Sequence, residues 1–328
     1  MFLKTLIERC IKMSSSLHKA QHISRCLQLA IALEVSVPKP GNVSFNIGFE
    51  GTNVTHFLAS AIAAGPSFEV AAYRGCAAVD CKLGLEKLGV GELIKSCMSD
   101  VMAWQRGGNT ILGTVMLFVP LAAAAGMTPT KGDGKVDFGE LRRNLDAVLH
   151  TTTVMDAVNL YEAIDIAVPS GLGKSPELDL KDPQSKHKLL RDNVSLFKVF
   201  ELASAYDDIC YEWVNNFPIT FDSAYPYLSE ELKIKPLNVS VTNVFLKIFS
   251  ERPDTFIARK IGKQKAQKIQ SDAQRVVRLG GLETDKGKVA LEKLDLKLRK
   301  KGNSANPGTT ADLTAAAIAL CTLGGFRP

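Results

Sequence analysis

Helical periodicity governs this chain. Apolar residues recur at three- and four-residue spacing in segment after segment, while alternating runs are scarce. The pattern predicts helices over His18–Leu33, Val54–Ala64, Val70–Leu83, Leu93–Trp104, Leu112–Ala125, Leu141–Leu149, Val154–Ala167, Val194–Phe217, Val239–Phe249, Gln264–Arg278, Lys288–Lys300 and Thr310–Leu323. Several of these run into glycine or proline stops. Ile219–Tyr227 is the stretch that reads as extended. The expectation is an all-α fold, a single multi-helix globular domain over residues 1–328. Alanine and glycine on many helices allow close packing around a cleft.

Charge is unevenly placed. The net charge is +6, but residues 259–301 hold fourteen Lys/Arg against five Asp/Glu, so the rest of the chain is slightly acidic. We expect a basic helical excursion over 260–301 whose charges are mostly solvated faces, with no nucleic acid as partner. The seven cysteines form no CxxC pair, and the five histidines show no metal-binding spacing. Reduced thiols in a cytoplasmic protein fit that usage. Ile111–Met127 is apolar, but Gly113, Thr114 and Pro120 interrupt it and it is shorter than the ~20 residues that span a bilayer. Met1–Met13 carries Lys4, Glu8 and Arg9 within its apolar run, unlike a secretory signal. No membrane partner is expected.

Near the C-terminus stands Asn303-Ser304-Ala305-Asn306-Pro307-Gly308-Thr309-Thr310-Ala311-Asp312-Leu313. It reads as an anion site built on a helix start. Asn306 suits the cap, and Pro307 suits the first helical position, where a missing N–H costs nothing. Free N–H groups and the positive end of the helix dipole attract phosphate there. Thr309 and Thr310 offer hydroxyls. Asp312, about a turn further in, can hold a cation or act on a sugar. The plain alternative is an ordinary capped core helix.

Two acids stand out elsewhere. If Val194–Phe217 is one helix, Asp207 lies at the edge of its apolar stripe and Asp208 points to water. Asp207 is then the acid expected to be half-buried in a cleft. Asp156 shares a helix face with Asn159, Leu160, Ala163 and Ala167. Its plain alternative is an acid complementing a helix N-terminus. Gly171-Leu172-Gly173-Lys174-Ser175 mimics the end of a P-loop, but Val168 stands where the first glycine is required and a helix precedes it. It reads as a helix-stop loop near the ligand.

Three further segments complete a pattern: Glu34-Val35-Ser36-Val37-Pro38-Lys39-Pro40-Gly41-Asn42-Val43, Gly107-Gly108-Asn109-Thr110-Ile111-Leu112-Gly113 and Arg252-Pro253-Asp254-Thr255-Phe256-Ile257-Ala258-Arg259-Lys260-Ile261-Gly262. With Ser170-Gly171-Leu172-Gly173 and the C-terminal run, in this order, the chain resembles the triphosphoribosyl-dephospho-coenzyme A synthase family from about Leu29 onward. The resemblance implies an all-α fold with a central nucleotide-binding cleft. It also implies an enzyme that moves the 5-triphosphoribosyl group of ATP to the 2'-hydroxyl of 3'-dephospho-coenzyme A and releases adenine. Ile111, Ser170 and Tyr206 depart from the family pattern, which leaves room for a different acceptor.

Glycosyl transfer of this kind passes through an oxocarbenium-like transition state, which carboxylates serve well. Glu34, Asp156, Asp207 and Asp312 are the candidate catalytic acids, with Asp156 and Asp207 expected to hold Mg²⁺ on the triphosphate, or one of the two to be the base. Lys39, Arg259 and Lys260 are expected to bind phosphates, joined by Asn306, Thr309 and Thr310. Asn42, Asn109 and Thr110 offer neutral hydrogen bonds. Some have plain alternatives: a solvated loop lysine for Lys39, a salt bridge for Arg259, a helix cap for Asp254 and a core position for His56. ATP and dephospho-coenzyme A are the implied partners, with a homo-oligomer possible. Two other readings remain open. One is a Mg²⁺-dependent ribosyltransferase or hydrolase acting on another nucleotide in coenzyme biosynthesis. The other is a non-catalytic nucleotide-binding helical protein.

Overall fold

The structure is a computed structural model that describes residues 2–130, 136–167 and 184–328, with side chains from residue 14 onward. The Ser170–Ser175 loop lies outside the described residues. Fifteen α-helices account for most of what is described, and among the described residues extended backbone pairs in the isolated bridges Phe49–Thr52 and Thr130–Val136 alone. In order they are α1 (Phe2–Ser36), α2 (Val54–Val79), α3 (Val90–Trp104), α4 (Leu112–Met127), α5 (Phe138–His150), α6 (Val154–Ala167), α7 (Ser185–Asp192) and α8 (Leu196–Ala203). Then come α9 (Asp208–Val214), α10 (Tyr225–Ile234), α11 (Leu237–Glu251), α12 (Thr255–Ile261), α13 (Lys263–Arg278), α14 (Asp285–Arg299) and α15 (Gly308–Leu323). The all-α expectation holds. No described helix is long and apolar enough to cross a membrane.

Helices α4 and α15 are apolar on every side, so each must be surrounded by protein. Their buried residues run almost without interruption, from Leu112 to Gly126 and from Leu313 to Leu323. Helices α1, α2, α3 and α5 pack against α4, and α1, α10 and α11 against α15. The α2–α4 crossing is set by two glycines. A Cβ on Gly75 would overlap the carbonyl of Ala123, and one on Gly126 would overlap the carbonyl of Ala72. Each helix thus carries the notch that the other's backbone fills.

Two apolar cores result. The larger joins α1 through α11 with α15. The smaller is built from Phe245, Leu246 and Phe249 of α11, Ile257 of α12, Ile269 and Val276 of α13, and Leu294 and Leu298 of α14. The basic stretch therefore folds as a layer with its own core. Several of its cations are paired at the surface, as in Lys297–Asp272 and Arg299–Asp295.

Three sequence expectations need correction. Val54–Ala64 and most of Val70–Leu83 form one helix that passes through Gly65 and Pro66 and ends at Val79. Val194–Phe217 is two helices, because Asp207 leaves helical geometry and its carboxylate accepts from the amides of Ile209 (2.8 Å) and Cys210 (3.2 Å). A short polar side chain bonded to backbone two and three residues on is a helix start, and it displaces the continuous helix. Ile219–Tyr227 is not extended. Asn216 and Phe217 turn the chain at positive φ, and Ile219–Ala224 then winds as a π-helical segment into α10.

Candidate active site

A cavity of about 400 Å³ opens where the helix ends of both cores meet. Its apolar lining includes Leu160 and Tyr161 of α6, Val199 and Phe200 of α8 and Ile209 of α9. Phe200 packs edge-on against Trp213, whose indole N–H donates to the Met116 carbonyl at 3.0 Å and ties this wall to α4. Its polar lining comes from α1, the loop after it, the Gly107–Thr114 turn, α12, and the approach to α15. Of the thirteen residues expected to form the site, ten line this cavity: Glu34, Asn42, Asn109, Thr110, Asp207, Arg259, Lys260, Asn306, Thr309 and Asp312.

Asp312 sits on the first turn and a half of α15. Its Oδ1 accepts from Thr114 Oγ1 at 2.5 Å. Burial pushes its pKa up to about 7, the charges of Glu34 and Asp254 push it the same way, and the Thr114 hydrogen bond opposes them. Glu34 closes α1 and is buried with Lys39, whose Nζ lies 3.2 Å from Glu34 Oε1. Burial raises the Glu34 carboxyl and lowers the Lys39 ammonium, and each partner opposes the other's shift.

Arg259 and Lys260 close α12. Arg259 pairs with Asp207, as its plain reading anticipated, and stacks over Phe256. Lys260 donates to the Asn303 carbonyl at 3.0 Å and lies 4.1 Å from the centre of the Phe256 ring. Burial and the neighbouring Arg259 lower its pKa. Asn109 accepts from the Leu112 amide, the first of α4, at 3.0 Å, and Thr110 shares a 2.7 Å hydrogen bond with Ser60. Asn42 reaches the Pro307 carbonyl at 3.5 Å. Thr309 accepts from Thr255 Oγ1 at 3.2 Å.

Three expected residues lie elsewhere. Lys39 does not reach the cavity: its ammonium is fully buried and donates to the carbonyls of Glu34 and Val37. A short Pro-Lys-Pro-Gly loop folds back on the helix end before it, and the lysine satisfies the carbonyls left open there. Asp156 is a helix-start acid. Its carboxylate accepts from the Gly91 amide (2.8 Å) and from the amide and hydroxyl of Thr153 (2.7 and 2.8 Å). Gly91 has no room for a Cβ beside the Asp156 backbone, so this acid is embedded in the α3–α6 crossing. Thr310 is buried and gives both its amide and its hydroxyl to Asp254, each at 2.8 Å.

Other local readings also change. Asn306 does not cap α15: its amide donates to Asn303 and its Oδ1 is buried without a partner. Asp208, expected to face water, is buried and paired with Arg252 at 2.6 Å, because the helix break re-aims both acids. His56 is half-buried and accepts from the Asn53 amide in a capping box rather than sitting in the core.

The expected Mg²⁺ pair does not fit. Asp156 is outside the cavity with its carboxylate engaged by three donors, and Asp207 is held by Arg259 and two amides. Among the described residues no cluster of three or more His, Cys, Asp or Glu is poised for a metal ion. The cavity does carry unmet polar demand. Six buried side-chain polar atoms among the described residues make no hydrogen bond; of the three in its lining, Glu34 Oε1 keeps its ion pair with Lys39, while Arg259 Nε and Asn306 Oδ1 are left without one. Such atoms are uncommon in folded proteins and mark places where a ligand or water completes the structure.

Gly113 and Thr114, read from the sequence as interruptions of an apolar run, set Asp312, and Asp254 makes a second bond beyond its cap. The signal for the first was Gly113 itself, since a glycine at a helix start permits close approach.

Residues 20–327 match the family model described as ATP:dephospho-CoA triphosphoribosyl transferase. A solved structure from Archaeoglobus fulgidus, described as a proposed triphosphoribosyl-dephospho-coA synthase, is similar over 83% of this chain and 99% of that one. The two are 26% identical, with a TM-score of 0.62. No match is found among curated proteins. With nearly its full length matched, the chain belongs to the ATP:dephospho-CoA triphosphoribosyl transferase family and is an enzyme of that transferase class.

Proposed function

We propose that this enzyme transfers the 5-triphosphoribosyl group of ATP to the 2'-hydroxyl of 3'-dephospho-coenzyme A. The bond between the ribose anomeric carbon and adenine breaks, and a bond from that carbon to the acceptor oxygen forms. The acceptor's hydroxyl proton is balanced by the proton that leaves with adenine. The observation that carries this reading is Asp312: a carboxylate held near neutrality, facing the same cavity as Arg259 and Lys260.

Asp312 takes the role of base for the acceptor hydroxyl. A group whose pKa lies near the working pH is best suited to that exchange. Glu34, which burial pushes toward its protonated form, supplies a proton or hydrogen bond to the departing adenine. Arg259, Lys260, Asn306 and Thr309 receive the triphosphate, while Asp207 orients Arg259. Asn42, Asn109 and Thr110 line the same cavity as neutral hydrogen-bonding groups. Asp156 is assigned to the scaffold, and no step is routed through a metal ion.

A second reading, transfer to a different nucleotide acceptor, is favoured by Tyr206, which lines the cavity where the family pattern often has arginine. Incubation with ATP, Mg²⁺ and 3'-dephospho-coenzyme A followed by mass spectrometry separates the two. Adenine and a triphosphoribosylated dephospho-coenzyme A, both lost in Asp312→Asn, are the expected products. Intact ATP from folded protein overturns the assignment for this acceptor.

A further inference from the structure

Asp254 caps α12, as its place after Pro253 predicts, but capping uses only one of its oxygens. Oδ1 accepts from the Ile257 amide at 2.9 Å. Oδ2 accepts from both the amide and the hydroxyl of Thr310, each at 2.8 Å. The side chain is 2% exposed and does not line the cavity. A carboxylate of the chain itself therefore sits on the helix start that the Asn-Pro-Gly-Thr-Thr motif advertises for a phosphate. It joins the helix that carries Arg259 and Lys260 to the helix that carries Thr309 and Asp312. The neighbouring Thr255–Thr309 hydrogen bond runs between the same two helices.

We propose that Asp254 is a positioning residue, an internal anion that occupies the start of α15 in place of phosphate and locks Arg259 and Lys260 in register with Asp312. The triphosphate then lies beside α15, against Arg259, Lys260, Asn306 and the Thr309 side chain, and does not reach the amides of the helix start. This rests on the reading of Asp312 as base and of the two cations as phosphate ligands. A fork of three charge-assisted hydrogen bonds is stiff enough to serve, since each is stronger and more directional than a neutral one.

Two readouts test it. The first is binding of inorganic tripolyphosphate by calorimetry, which needs no acceptor. Asp254→Asn removes the fork's charge and one of its acceptors. If Asp254 holds the cations in register, affinity falls about tenfold, the scale of one lost buried hydrogen bond. If the start of α15 is instead the phosphate site, with Asp254 as its competitor, affinity rises, and the proposal is overturned. Inactivity of the wild type with dephospho-coenzyme A would sink the functional reading while leaving this result standing.

The second readout is the pH profile of kcat. The groups facing Asp312 are Glu34 from α1 with its partner Lys39 from the loop after it, Thr114 from α4, and Asp254 ahead of α12, itself faced by Arg259. Loss of the Asp254 charge removes one of the two anions that keep the Asp312 proton on. The acid limb of kcat should therefore move to lower pH, together with a fall of about tenfold at the optimum. A cap with a purely structural role lowers the melting temperature and leaves the limb in place. Should Asp254→Asn not fold, Thr310→Val carries the test. It removes one hydroxyl donor, with kcat expected to drop about threefold and Thr310→Ser to restore it. Unchanged kcat in Thr310→Val overturns the proposal.

Discussion

Thr114 donates to Asp312 at 2.5 Å across the meeting of α4 and α15, two helices that start at the same cavity. The contact exists because the residue before Thr114 is glycine. A Cβ on Gly113 would overlap Asp312 Oδ2. The carboxylate proposed as the base is thus aimed by a hydroxyl and a missing side chain, both contributed by a helix far from it in sequence.

Gly113→Ala should displace Asp312 without altering any cavity charge. We expect kcat to fall about a hundredfold, the usual scale for misplacing a reacting group by an ångström, with helical circular dichroism retained. Asp312→Asn should lose more, about 10²–10⁴ in rate. Single-turnover kinetics on both variants, side by side, checks the order.

The pH dependence of Asp312 has opposite signs for activity and stability. As a base it acts when deprotonated, so kcat should rise as pH climbs through about 7. For stability, a carboxyl whose folded pKa lies above its unfolded value binds its proton more tightly when folded. That contribution is present at low pH and is lost between the unfolded value of about 4 and the folded one. Asp312→Asn should therefore match the wild type in melting temperature at the acid end of this window and exceed it at the alkaline end. A wild type that gains stability relative to the variant on going alkaline would contradict the assignment.

Lys39 should behave as a scaffold residue. Its ammonium is fully buried and serves Glu34 and two carbonyls. Removing one member of such a pair costs about 3–5 kcal/mol. Lys39→Met should therefore lower the denaturant midpoint strongly, by that amount in unfolding free energy. A phosphate-binding lysine would give the opposite pattern, with the midpoint unchanged and the ATP KM raised.

Asp156→Asn distinguishes a helix-crossing acid from a metal ligand in the same way. It should cost about 1–3 kcal/mol through the amide and hydroxyl donors left with a poorer acceptor. The Mg²⁺ concentration needed for half-maximal rate should not move. A shifted Mg²⁺ requirement at unchanged stability would return Asp156 to the site.

The period of apolar residues was enough to find α6 at its observed ends, and α4 and α15 to within two residues. It was enough because their buried surfaces follow directly from the pattern. It failed where a single polar side chain decides the backbone. Asp207 breaks a segment whose apolar spacing reads as continuous, and the same break sends Asp208 inward. Ten of the thirteen expected residues line the cavity because they fall in compact motifs at helix ends, while most of its apolar wall was not legible. Lys39, Asp156 and Thr310 fall in those motifs too, but motif membership does not say which way a side chain turns. That depends on which open backbone groups or acids lie within reach. Asp254 shows the same limit from the other side, since a cap is recognisable from local sequence and a second bond to a residue 56 positions away is not.

The two apolar cores divide the cavity between them. Arg259 and Lys260 ride on the layer built around Phe249 and Leu298, while Glu34 and Asp312 belong to helices of the larger core. The triphosphate sugar of the proposed reaction would lie across that seam as a stitch. In the proposed reaction its anionic end would meet the cations of one core and its reacting carbon the carboxylates of the other. Sequence drift in the basic layer can then retune phosphate affinity while the carboxylates keep their places, and the reverse is equally open to selection.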